Sequence, residues 1–127
     1  MSEMMRTKPN RNVQTWFDGL GSKDWYVSVL TIGEIRFGVE RISESDRRIR
    51  LKRWLDRDLL LDRPENILPV TVEVAERWGL LKLAEKRTLP EVDSLIAATA
   101  LHHRLILVTR NIRDFQFPGL EVVDPFA

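Results

Sequence analysis

Cysteine is absent from the 127-residue chain, which excludes disulfide cross-links, thiolate zinc sites and cysteine nucleophiles together. Histidine is scarce: the two present, His102 and His103, are neighbours. Adjacent helical positions point about 100° apart, so this pair does not chelate one ion from one face. No apolar run reaches the roughly 18 residues that a membrane span requires. Met1–Arg6 lacks the apolar stretch and small-residue cleavage site of a secretory signal, which leaves the cytoplasm as the expected location. Repeats, low-complexity segments and linkers are also missing.

What remains is a chain of 43% hydrophobic and 31% charged residues, long enough for one packed domain and too short for two, so residues 1–127 are expected to form one unit. The net charge of +1 hides a local bias. Arg47, Arg48, Arg50, Lys52, Arg53 and Arg57 fall within one short segment, which reads either as a solvated helix face or as a phosphate-facing surface.

Periodicity predicts helices alternating with short apolar runs. A helical piece over Met1–Thr7 is stopped by Pro9, and a second, capped by Asn10, carries Val13, Trp16, Phe17 and Leu20 and ends at Gly19 and Gly21. Trp25–Val29 reads as a strand. Helices are expected over Thr31–Ile42 and Ser45–Leu61, then an edge strand over Ile67–Val70, where proline sits. The helix after Thr71 carries Val74, Ala75, Trp78, Leu81 and Ala84 as its packing stripe, and Trp54 and Trp78 are assigned to the core. Pro90 opens a helix that feeds the wholly apolar run Leu105–Val108, as expected for a strand covered on both faces. Leu120–Val123 closes the chain as a last strand. This order predicts an α/β three-layer domain with a mostly parallel sheet, and it begins inside a helix, one strand later than such domains usually do.

Three separated acids draw attention. Asp93 opens the otherwise apolar, small-residue helix Pro90-Glu91-Val92-Asp93-Ser94-Leu95-Ile96-Ala97-Ala98-Thr99-Ala100. Glu34 sits within Leu30-Thr31-Ile32-Gly33-Glu34-Ile35, and Asp114 follows the strand Leu105–Val108 in Thr109-Arg110-Asn111-Ile112-Arg113-Asp114. In an open parallel sheet, ligands gather outside the carboxyl ends of the strands, and the topology brings Glu34, Asp93, Asn111 and Asp114 to that one rim. Crowded carboxylates raise each other's pKa unless a cation neutralises them. With no thiolate and no chelating histidine pair, the fitting ion is hard and oxygen-liganded, Mg2+ or Mn2+, and phosphodiester hydrolysis is the chemistry that follows. Plainer readings stand beside this one. A first-turn acid is favoured by the helix dipole alone, and Thr109, Asn111 and Asp114 also suit an ordinary turn.

In order and spacing, Thr31-Ile32-Gly33-Glu34-Ile35-Arg36-Phe37-Gly38, the Pro90–Ala100 stretch, Val108-Thr109-Arg110-Asn111 with Asp114-Phe115, and the closing Pro118–Pro125 resemble PIN-domain ribonucleases of the VapC toxin type, from VapBC toxin–antitoxin modules. The resemblance covers most of the chain. It implies a three-layer α/β/α PIN-like domain and a metal-dependent endoribonuclease that forms a homodimer and is held inactive by a VapB-type antitoxin. By motif, Glu34 and Asp93 are the family's acidic site residues. The last acidic position falls on Asn111 or Asp114, and Thr109 helps to position water or phosphate. Metal ligands carried over in this way are Asp93, Glu34 and Asp114.

One departure stands out. The family opens with a strand ending in an Asp-Thr-Asn-like turn, and that strand and its metal-binding aspartate have no counterpart before Ser2-Glu3-Met4-Met5-Arg6. The expectation is a PIN scaffold with its N-terminal strand missing and an incomplete site, with little ribonuclease activity. The alternative from another class is a non-catalytic toxin that only binds antitoxin. A small phosphatase or phosphotransfer receiver domain also gathers carboxylates at strand ends, but it requires an acid-rich turn after the first strand and a later lysine, and neither is visible.

Overall fold

The computed structural model describes residues 4–6 and 25–124. Strands β1 (Met4–Arg6), β2 (Trp25–Ser28), β3 (Ile67–Leu68), β4 (Ile106–Val108) and β5 (Val122–Val123) form a five-stranded sheet in the order β3-β2-β1-β4-β5. β2 pairs with β3 and β4 with β5 in parallel, while β1 runs antiparallel to both β2 and β4. The four outer strands therefore share one direction, and the central strand alone is reversed. The sheet is mixed: its two outer pairings are parallel, as expected of the whole, and its two central pairings are antiparallel.

The central strand is where the sequence reading needs correction. Met1–Thr7 was expected to be helical, yet Met4–Arg6 is strand, with Met5 opposite Tyr26 on one side and Leu107 on the other. Met5 is completely buried. An open gap between β2 and β4 would leave two rows of backbone donors and acceptors unpaired, and a short apolar segment filling it satisfies both rows. That tertiary demand outweighs the local helical pattern. The second expected helix, from Asn10 to Gly21 with Val13, Trp16, Phe17 and Leu20, lies outside the described residues.

Helices flank the sheet. α1 (Val29–Glu40) follows β2 without a loop, because Ser28 caps it: its hydroxyl accepts the Leu30 N–H at 3.0 Å. α2 (Ser45–Arg53) continues into a π-helical segment, Trp54–Leu61, whose buried residues are Leu55 and Leu59. α3 (Val72–Ala84) is capped by Thr71, whose Oγ1 accepts the Val74 N–H at 3.2 Å. Along α3, Val74 is buried and Trp78 and Leu81 are half-buried, whereas Ala75 and Ala84 face solvent, so the packing stripe is narrower than the pattern suggested. Trp54 is also corrected: it is 42% exposed rather than part of the core.

α4 (Glu91–His102) is the best-buried helix. Ser94 and every residue from Ile96 to Ala100 are buried, and the small side chains let its axis lie close to the sheet. All three residues of β4 are buried, as a strand covered on both faces requires. Met5, Leu89, Ile96, Ala97, Ala100, Leu105, Leu107, Phe115 and Phe117 form the core around this helix. No helix among the described residues is long and apolar enough to cross a membrane.

Candidate active site

The carboxyl ends of β2, β3, β4 and β5 lie on one rim of the sheet, and the side chains of interest come from the elements that leave it or start beside it. Because Ser28 caps α1 two residues earlier than expected, Glu34 falls in the second turn and not the first. The helix dipole acts within the first turn, so it does not account for this acid. Asp93 does sit in the first turn of α4.

Glu34 and Asp93 are within electrostatic reach of each other. Partial burial raises the Glu34 pKa above its ordinary value, and the Asp93 charge raises it further. Asp93 is raised likewise, first by its own partial burial and then by Asp114. Desolvation and like charge both disfavour the ionised form, and a nearby positive charge offsets them. The carboxylates form a chain with Asp93 in the middle. Among the described residues, no group of three or more histidine, aspartate or glutamate side chains gathers closely enough to make a cage for an ion. The reversed central strand places Met4 opposite Val108 at this rim.

Two flanking features escaped the sequence reading. Thr31, one helical turn before Glu34, is fully buried, and its Oγ1 has no hydrogen-bond partner. The spacing Thr31-x-x-Glu34 was the available signal, since positions three apart share a helix face. Beside Asp93, Ser94 is fully buried. Its hydroxyl donates to the Glu91 carbonyl at 2.9 Å and accepts the Trp78 indole N–H at 2.9 Å. Trp78 thus ties α3 to the first turn of α4, a polar role that assigning it to the core overlooked.

The loop after β4 holds the remaining candidates. Thr109 is 3% exposed, and its Oγ1 accepts the Asn111 N–H at 3.0 Å. Its evident work is to shape the turn. Asn111 precedes the 3-10 turn Ile112–Phe115, and its carbonyl accepts the Asp114 N–H at 3.0 Å. The Asn111 and Asp114 side chains are both exposed. They line an open cleft with Arg110, Arg113, Gln116 and Asp124, and neither Glu34 nor Asp93 borders it. Asp93 joins the two halves of the rim through its electrostatic reach to both Glu34 and Asp114. His102 and His103, at the far end of α4, meet edge-on with ring centroids 4.9 Å apart and take no part.

A hard divalent cation suits these donors. Magnesium takes one or two carboxylates and fills its remaining positions with water and phosphate oxygens, and here two partly buried carboxylates are each raised in pKa by their setting.

Comparison with known proteins agrees with this architecture. The PIN domain model matches residues 2–117. Toxin FitB of Neisseria gonorrhoeae is 30% identical over 99% of this chain and 93% of its own length. Ribonuclease VapC4 of Mycobacterium tuberculosis is 37% identical over 84% of this chain and 81% of its own. The crystal structure of FitAcB from Neisseria gonorrhoeae superposes with a TM-score of 0.76 at 29% identity, covering 95% of this chain and 89% of that one. A match over nearly the whole chain, together with the strand-end acids, leaves one assignment: the chain belongs to the PIN-domain family, with VapC ribonucleases and the toxin FitB among its homologues.

Proposed function

We propose that this protein is a VapC-like toxin of a toxin–antitoxin module, a Mg2+- or Mn2+-dependent endoribonuclease that cleaves RNA phosphodiester bonds. The observation that carries the reading is the raised proton affinity of Glu34 and Asp93 at the sheet rim, in a chain whose homologues include proteins named ribonuclease and toxin.

Asp93 and Glu34 are the residues that would hold the cation, with Asp114 acting from the loop side. When bound, such an ion lowers the pKa of its water and offsets charge on the phosphorane-like transition state. The chain's own residues do the rest. Ser94, buried beside Asp93 and bonded to the Glu91 carbonyl and the Trp78 indole, fixes the backbone that carries the carboxylate. The exposed Asn111 amide is available to a phosphate oxygen, and Thr109 keeps the loop in the shape that presents it. A VapB-type antitoxin and a second copy of the chain are the proposed protein partners, with the exposed apolar Phe37 of α1 suited to such a contact.

A second reading is favoured by one observation: among the described residues no three carboxylates gather at one point, and a site with few charged ligands binds magnesium weakly. Under it, the protein binds antitoxin without cutting RNA. Incubating the chain with a single-stranded RNA in magnesium or manganese separates the two. Cleavage that stops in EDTA and in Asp93→Asn supports the nuclease. Intact RNA under all conditions, with antitoxin still bound, supports the binder.

A further inference from the structure

We infer that the outer face of α2 and its π-helical continuation is a track for the phosphate backbone of single-stranded RNA, formed by Arg47, Arg50, Arg53 and Arg57 with Trp54 as a stacking surface. This rests on the ribonuclease reading and adds to it a substrate-binding surface outside the carboxylate rim.

Six basic residues and one acid, Asp56, lie between positions 47 and 57, with the exposed Asp46 and Asp58 at the two ends of the stretch, and the structure divides the basic residues into two sets. The inner set is engaged: Arg48 donates to the Ile42 carbonyl at 3.1 Å, and Lys52 pairs with Glu40 at 3.3 Å. Asp56 is taken by Arg36 of α1. The outer set, Arg47, Arg50, Arg53 and Arg57, is exposed, and among the described residues none of the four has an ion-pair partner. Each is three or four positions from the next, so neighbouring guanidinium groups lie on adjoining turns of one face. Trp54 is four positions from Arg50 and three from Arg57, which sets its 42% exposed ring between them. Unpaired like charges on one face repel, and a polyanion relieves that repulsion. Interleaved arginine and aromatic side chains are the chemistry that holds an unpaired strand, through charge on the backbone and stacking on the bases.

Direction supplies the second argument. α1 leaves the rim, and α2 returns beside it: Glu40 pairs with Lys52, and four residues nearer the rim Arg36 pairs with Asp56. The same antiparallel register sets Arg57 level with Ile35, next to Glu34. The stripe therefore runs roughly 15 Å, from Arg47 at the far end of the helix pair to Arg57 at the level of the candidate metal ligands. A strand lying along it would be delivered to the height of the rim.

The test measures binding of a fluorescent single-stranded RNA in EDTA, where no cleavage occurs, across a salt series. The triple variant Arg50→Gln, Arg53→Gln, Arg57→Gln is expected to bind about tenfold or more weakly and to lose about 2 from the salt slope, at roughly 0.7 per phosphate contact. Trp54→Ala is expected to weaken binding about fivefold or more while leaving the slope unchanged. Lys86→Gln, an exposed charge elsewhere, serves as the control and is expected to change neither. Unchanged affinity and slope in the triple variant overturn the track, and metal-dependent cleavage retained with an unchanged KM leaves the ribonuclease reading standing. An acidic polypeptide that competes as well as RNA, together with an inert Trp54→Ala, assigns the stripe to a protein partner and also overturns the proposal. A parent chain that binds no RNA at any salt overturns both readings.

Discussion

The two helical regions that frame the rim are built on opposite principles. α4 has half of its residues buried and carries Asp93 on a first turn held by Ser94 and Trp78. α2 has no buried residue of its own and is held through Leu55 and Leu59 of the π-helical segment and through surface ion pairs to α1. A group that must sit in one place is carried by packing, while a surface that meets a flexible polymer needs only charge and loose attachment. The comparison shows which region tolerates substitution and which does not.

The largest expected effect tests that division directly. Ile96 on α4 is 0% exposed and Ile49 on α2 is 51% exposed. Ile96→Ala removes a packed side chain and leaves a cavity, and is expected to cost about 2–5 kcal/mol in urea denaturation. Ile49→Ala is expected to stay within about 0.5 kcal/mol. Equal losses at the two sites would break the contrast.

A smaller effect, of opposite sign, is expected at Asp93. A carboxylate with a raised folded pKa holds its proton more tightly when folded, so stability falls as pH climbs from the ordinary value, 3.8 for Asp93 and 4.5 for Glu34, through the raised one. Above that window both charges disfavour the fold. Asp93→Asn is therefore expected to raise the melting temperature at neutral pH, with the gain vanishing below about pH 4, where the carboxyl is protonated in both folded and unfolded chains. Manganese is expected to raise the melting temperature of the parent and not of the variant. A variant less stable than the parent at pH 7 without metal would contradict the origin assigned to these shifts.

The smallest effect belongs to the exposed pair of Arg36 and Asp56. Asp56→Asn is expected to cost at most about 1 kcal/mol, since exposed ion pairs are worth little, and 0.5 M salt should erase the difference. A larger, salt-resistant loss would mean that α2 is anchored far more rigidly than its exposure suggests.

Legibility differed between these regions for the same physical reason. The helix over Glu91–His102 and the strand after it could be read directly, because a run such as Ile96–Ala100 followed by Ile106–Val108 has few ways to avoid water. The paired Glu34 and Asp93 were legible as strand-end acids, since topology alone brings strand ends together. Trp54 was misread because a tryptophan on a helix is usually buried, and only the neighbouring elements reveal that none covers it. Thr31 was overlooked because a threonine in a helix carries no signal until the missing hydrogen-bond partner is seen.

The sequence by itself determined the alternation of helices and strands, the α/β class of the fold, and the placing of Glu34 and Asp93 near one end of the sheet. These are properties of local pattern and chain order. Tertiary structure decided what occupies the centre of the sheet. Met4–Arg6 is too short and too ambiguous to specify strand or direction, and it becomes a reversed strand because β2 and β4 each present a row of unpaired backbone groups that water does not reach.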